Sequence, residues 1–275
     1  MRILVIDDYV EAELAIAHVL QGTGHVVAGA RDPRVLSRLL ASAEPFDLAL
    51  VDMIFVDCPV TGLGALRTLG ELSPATKSVV RCSDDEENRQ LHLLAAFTFF
   101  TPLALAPRRE GPEAMGPLLD AVERGVTVAS GADRYRHHGP PPAPLDELLR
   151  NKTDLTIWQE LTRFDKRTDI ARASYVSASA VDHFIGDMYP VVEKLQARLA
   201  DSFADSFAGA AGGQHAHNAP LIRLAHFARL HKDFFRDPDL GPLLAERWKG
   251  QPRKLSVVST DIRKVRPPGR RRGSG

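Results

Sequence analysis

The sequence predicts an α/β protein: a doubly wound, five-stranded parallel sheet, followed by an all-α C-terminal region. Three observations predict it. Short apolar runs alternate with helix-like stretches through the first part of the chain, a rhythm that calls for parallel strands covered by helices on both faces. Two of these runs end in acids, the first in Asp7-Asp8 and the second in Asp52. Beyond the proline-rich stretch 139–144, strand-like runs stop and helical periodicity takes over.

The strands are expected at residues 3–6, 26–30, 48–51, 78–81 and 97–100, each short, apolar and rich in β-branched or aromatic residues. The helices between and after them are expected near 10–21, 33–43, 63–72, 86–96 and 113–124. Gly24 and Pro45 punctuate the loops. Crossovers between parallel strands should be right-handed. The layout expected is a sheet domain at 1–130, a Pro-rich linker at 131–146 and a helical domain at 147–200. A flexible loop at 201–219, an extra helical segment at 220–249 and a basic disordered tail at 250–275 complete it.

At 275 residues, 44% hydrophobic and 25% charged, the chain has the composition of a soluble protein with a sizeable core. No apolar stretch approaches a membrane span. Cys58 and Cys82 have neither disulfide-framework nor zinc spacing, which suggests a reducing cytoplasm. The zero net charge conceals two opposed halves. Residues 1–150 carry 21 acids against 14 bases, and residues 151–275 carry the reverse. An acidic half suits a cation or a phosphoryl group, and a basic half suits a polyanion.

Acids at the carboxyl ends of two buried strands meet where α/β sheets bind ligands. Asp7, Asp8 and Asp52 can therefore hold one hard cation, Mg²⁺ being the best match to clustered carboxylates. With Gly62 in the loop beyond Asp52 and the five-unit rhythm, this pattern resembles the receiver domain of two-component response regulators, a flavodoxin-like fold. The resemblance implies that Asp52 accepts a phosphoryl group, that Asp7, Asp8, Asp52 and the Ile54 backbone carbonyl ligate Mg²⁺, and that a sensor histidine kinase is the phosphoryl donor. It also implies a hydroxyl at the end of the fourth strand, where Ser83 fits and a one-residue shift would put Cys82 instead. A lysine is implied at the end of the fifth strand. With that strand at 97–100 the place falls to Thr101, while Arg108 and Arg109 lie too far along the loop to substitute.

In the second half, Ile170, Ala171, Val176, Val181, Ile185 and Met188 are spaced for two helices joined by a tight turn, with Ser177 as the N-cap of the second. This helix-turn-helix spacing resembles the LuxR-type output domain, which implies DNA as partner and a homodimer. Ser177, Ser179, Asp182 and His183 would face bases, and Arg163, Lys166, Arg167 and Arg172 would face phosphates, with Lys194 as a further phosphate contact. Pro190 is expected to interrupt the run from the recognition helix into the last helix. The reading is a non-enzymatic, cytoplasmic, DNA-binding response regulator, controlled by phosphorylation of Asp52 or by phosphorylation-independent dimerisation. Its rivals are a Mg²⁺-dependent phosphotransfer or phosphohydrolase enzyme and a pseudo-receiver interaction module that does not touch DNA.

Overall fold

The computed structural model describes residues 1–83, 87–108, 111, 114–124, 131–140, 142–199 and 219–249. Five strands, β1 (Arg2–Ile6), β2 (Val26–Ala30), β3 (Leu48–Val51), β4 (Lys77–Cys82) and β5 (Ala104–Pro107), form one sheet in the order β2-β1-β3-β4-β5. Every pairing is parallel. The central strand β3, Leu-Ala-Leu-Val, is buried along its whole length, which explains why it is apolar at every position and not at alternate ones.

The two faces of the sheet carry different helices. Ile3, Val5, Leu48, Leu50 and Val79 pack against α1 (Val10–Val19) and α5 (Met115–Glu123). Leu4, Ile6, Ala49, Val51 and Val80 face the other way, toward α2 (Leu36–Ser42), α3 (Gly62–Leu72) and α4 (Gln90–Phe99). This is the doubly wound arrangement that the alternation of strand and helix calls for.

The fifth strand corrects the expectation. Residues 97–100 are not a strand: Phe97, Thr98 and Phe99 form the last turn of α4. Thr98 Oγ1 donates to the Leu94 carbonyl at 2.6 Å, a bond made within a helix, and Phe97 stacks on Tyr135 at 6.3 Å. A continuous apolar run from Leu91 reads equally as helix or strand by periodicity, and burial on all sides decided for helix. The real β5 is alanine-rich and ends in proline. Both are tolerable on an edge strand, where a missing N–H breaks no ladder bond.

The helical region begins with α6 (Pro144–Leu148) and continues through α7 (Lys152–Leu161), α8 (Arg167–Ala173) and α9 (Ala178–Leu199). Then come α10 (Ala219–Leu230), α11 (Lys232–Phe235) and α12 (Leu240–Lys249). Of the loop expected at 201–219, only Ala219 is described, and it opens α10; the basic tail at 250–275 lies outside the described residues. Trp158 of α7 is the hub: fully buried, it stacks on Phe235 at 4.9 Å and meets Phe184 and Phe227 edge-on or tilted. Its indole N–H is satisfied by the Leu148 carbonyl at 3.0 Å.

Pro190 does not interrupt α9, which runs through it. An internal proline costs about 3 kcal/mol. Beyond it, Val192, Leu195 and Leu199 are buried on the face that Val181, Ile185 and Met188 began. Burying each such side chain returns roughly 1.5–3 kcal/mol, so packing wins. Pro190 itself is exposed.

The helical region and the α3–α4 side of the sheet share one continuous apolar core. Trp158→Ala should therefore lower stability by about 3–5 kcal/mol, seen as a drop in the urea midpoint of the full chain.

Candidate functional site

Parallel pairing of β1 with β3 sets Ile6 beside Val51, so the residues that follow, Asp7 and Asp52, emerge together at the carboxyl edge. The Asp52 N–H donates to the Ile6 carbonyl at 2.9 Å, extending the ladder by one step. Asp7 and Asp52 are only 4% and 5% exposed, and Asp8 is half-buried. Oxygens of the three carboxylates lie within 4.8 Å of one another. The chain around them helps to aim each one. The Tyr9 N–H donates to Asp7 Oδ1 at 3.0 Å, and the Val56 N–H, from the loop after β3, donates to Asp8 Oδ2 at 2.7 Å.

Two arginines answer this concentration of charge. Arg108, immediately after β5, places one guanidinium nitrogen 2.8 Å from Asp7 Oδ2 and 2.9 Å from Asp52 Oδ2. Its guanidinium also lies over the Tyr9 ring, 5.2 Å from the centroid. Arg81, from β4, reaches Asp7 Oδ2 at 3.2 Å. At an effective dielectric near 20, one such pair is worth about 4 kcal/mol, enough to hold a long side chain across the pocket.

Burial pushes the Asp52 carboxyl up to about 7; Arg108 pulls the other way, and the neighbouring Asp7 and Asp8 charges reinforce the rise. Burial also opposes the Arg108 charge, but Asp52 and Asp7 outweigh it and raise that guanidinium above its ordinary value. For Arg81 burial prevails over Asp7, and the shift is downward.

The expected lysine position is therefore corrected. Thr101 is exposed and precedes β5, near the amino-end pairing in which the Leu103 N–H donates to Ser78. It sits at the opposite edge of the sheet from Asp52. Arg108 is within reach because β5 lies seven residues later than the sequence pattern predicts. It and Arg81 are the site residues that sequence reasoning missed. The available signal was the short buried Ala-Leu-Ala-Pro run, which delivers its next residue to the same edge as the acids. Ser83 does follow β4 directly and is half-buried.

The donor set suits a hard cation. Oδ1 of Asp8 is buried without a hydrogen-bond partner among the described residues, an oxygen left for a ligand to satisfy. A cation would share Asp7 and Asp52 with Arg108.

In the helical region the turn between α8 and α9 is closed by the Val176 N–H donating to Ala171 at 3.0 Å, with Tyr175 at φ 56° and 96% exposed. Ser177 Oγ accepts from the Ala180 N–H at 3.1 Å, the N-cap of α9. Ser179, Asp182, His183 and Asp187 line the exposed face of α9. Two of its acids are held by arginines, Asp182 by Arg167 at 2.6 Å and Asp187 by Arg150 at 2.7 Å. Arg163, Lys166 and Arg172 are exposed. Lys194 is engaged with Glu147 at 3.1 Å.

The five-stranded sheet with its edge of acids is the receiver fold, and the helical region is consistent with a helix-turn-helix domain. Solved structures share this two-part fold. One, the two-component response regulator RcsB in complex with DNA, superposes with a TM-score of 0.51 at 16% identity, covering 74% of this chain and 96% of that one. Another, of two RcsB dimers bound to two parallel DNAs, gives 0.50 at 14% identity, covering 74% and 97%. No protein-family model matches the sequence, and no curated protein matches it. Among the described residues, no helix is long and apolar enough to cross a membrane.

Because its folded pKa lies above the unfolded value, Asp52 disfavours the native state once it is ionised there. Its penalty is absent below about pH 4 and complete above about pH 7. In metal-free buffer, Asp52→Asn should raise the urea midpoint at pH 8, by an equivalent of roughly 2–4 kcal/mol, and much less at pH 5. Arg108→Ala should tighten Mg²⁺ binding about tenfold in isothermal titration, since it removes a competing cation.

Proposed function

We propose that this protein is a response regulator that binds DNA, with a receiver pocket centred on Asp52. The observation that supports this most is the convergence of Asp7, Asp8 and Asp52 with a cation from the end of β5, at the carboxyl edge of a β2-β1-β3-β4-β5 sheet. A helix-turn-helix region in the same chain gives such a pocket an output.

Asp52 is the nucleophile on this reading. A carboxylate oxygen attacks the phosphorus of an acyl phosphate or a histidine kinase's phosphohistidine, and an O–P bond forms. The donor's bond to phosphorus breaks, and its electron pair leaves with the donor. Mg²⁺, held by Asp7, Asp8, Asp52 and the Ile54 carbonyl, would offset charge on the transferring oxygens when bound. Arg108 does what the family's lysine does, contacting the new phosphoryl group in place of the carboxylates, and Ser83 supplies the hydroxyl. A guanidinium presents a planar fork suited to phosphate oxygens, so the exchange of lysine for arginine preserves charge and changes geometry.

The helical region carries the output. Ser177, Ser179, Asp182 and His183 present to base edges, and Arg163, Lys166, Arg167 and Arg172 to phosphates, in a homodimer. Both superposing RcsB structures are DNA complexes, which supports the same partner here. The first part of α9, residues 178–188, carries no Arg, Lys, Asn or Gln, the usual base-reading residues. Most of the affinity is then phosphate contact and strongly salt-dependent.

A second mode of control is favoured by Arg108 itself. It already balances charge on Asp7 and Asp52, so the pocket has an internal counter-ion and its state can be set by dimerisation without phosphate.

With Mg²⁺ and labelled acetyl phosphate, the chain should acquire one label that Asp52→Ala abolishes; folded protein that never labels leaves only the phosphorylation-independent mode. In a mobility shift with genomic fragments, the triple variant Arg163→Ala, Lys166→Ala, Arg172→Ala should bind at least tenfold more weakly and with a shallower salt slope. Absence of binding at low salt by the full wild-type chain rules out the DNA-binding output.

A further inference from the structure

Residues 219–249 have no part in the pocket or in the helix-turn-helix, yet they touch the loop that runs from Asp52 and the helices of the output region. We propose that residues 231–240 are the internal joint by which the state of the Asp52 pocket reaches the helical region. They grip the loop after β3 and helix α4 on one side and α7 on the other.

On the pocket side the first grip is at the loop after β3. Asp237 accepts a hydrogen bond from Thr61 Oγ1, and that oxygen also caps α3, accepting from the Leu63 N–H at 3.2 Å. The next residue, Gly62, donates its N–H to Met53 at 2.9 Å. It lies so close to the phosphoacceptor candidate that a Cβ there would be 2.4 Å from the Asp52 carbonyl oxygen. Asp237 thus holds the far end of a loop whose near end is Asp52. Arg67 of α3 fixes the same turn through Asp239 at 2.8 Å. Gly64 makes room for it, since a Cβ there would be 2.3 Å from the Asp239 carboxylate.

The second grip is on α4, through His92. His92 of α4 and His231, the residue before α11, are both buried, and both ring nitrogens of His92 find no hydrogen-bond partner among the described residues. His92, wholly buried, meets the Phe234 ring edge-on at 5.4 Å, and its Nε2 lies 3.7 Å from Asp237. Burial holds both imidazoles down to about 3, so the joint is packed with neutral rings.

On the output side, Phe235 stacks on Trp158, and its carbonyl accepts from Gln159 Nε2 at 3.0 Å. Arg236 donates to Thr162 Oγ1 at 2.7 Å. Consecutive residues therefore alternate between the two parts: Phe234 and Asp237 toward the receiver, Phe235 and Arg236 toward α7. On this proposal a shift of the loop after β3 displaces α11 through Thr61 and Asp237, and α11 carries the shift to α7.

The inference rests on the pocket reading only for which residues to disturb, and its test does not need phosphorylation. Hydrogen–deuterium exchange on the full chain compares wild type, Arg108→Ala, Thr61→Val and the double variant. Arg108→Ala should speed exchange at least threefold both in residues 53–62 and in residues 231–240. Adding Thr61→Val should keep the first response, measured against Thr61→Val alone, and abolish the second. Asp237→Ala replaces Thr61→Val if that variant does not fold. An unchanged 231–240 segment in Arg108→Ala overturns the joint, as does a response that survives loss of the Thr61–Asp237 contact. Failure of acetyl phosphate labelling overturns the phosphoacceptor role of Asp52 and leaves this result standing.

Discussion

Three carboxylates crowded at the end of a buried sheet are the constraint around which this molecule is arranged. Parallel pairing of β1 and β3 makes Asp7 and Asp52 neighbours, and Asp8 follows in the chain. Burial makes each charge costly and their mutual repulsion stronger. A cation must come from somewhere, and Arg108 and Arg81 bring it from the two strands on the other side of β3. The result is a pocket that carries much of its own counter-charge. On the proposed reading a metal held by Asp7, Asp8 and Asp52 would enter a site where a guanidinium is already engaged.

The second dependency is mechanical. The α3–α4 side of the sheet shares an apolar core with α7 and α9–α12. Trp158, Phe234 and Phe235 sit at the centre of that shared core, so the two parts of the chain are stabilised together. Among the described residues its paired polar groups include Thr61 with Asp237, Arg67 with Asp239 and Arg247 with Asp146, while both ring nitrogens of His92 are buried without a hydrogen-bond partner. Such pairs set register more than stability, because their desolvation offsets much of their attraction. They are where a change of state on one side can be felt on the other.

The particular residues show how far local pattern reaches. β1, β3 and their acids were legible because a buried parallel strand must be apolar throughout and its ligand-bearing end comes next in the chain. The helix-turn-helix was legible from the spacing of Ile170, Ala171, Val181 and Ile185, all of which are buried. The fifth strand was not. Phe97, Phe99 and Phe100 have high β propensity, and Ala104, Ala106 and Pro107 have little; only the cover available on each side decided which run became helix and which became edge strand. That single displacement hid Arg108. Pro190 misled in the same manner, since the cost of proline is local and the burial that outweighs it is not.

By itself, then, the sequence determined the fold class, the order of its elements along most of the chain, and the three acids, because these follow from periodicity and from what must lie at a strand's end. Only the tertiary structure decided which cation answers those acids and where residues 219–249 pack. Both depend on side chains far apart in sequence, Arg108 with Asp7 and Thr61 with Asp237, and no local pattern records which distant partner will lie within reach once the core has closed.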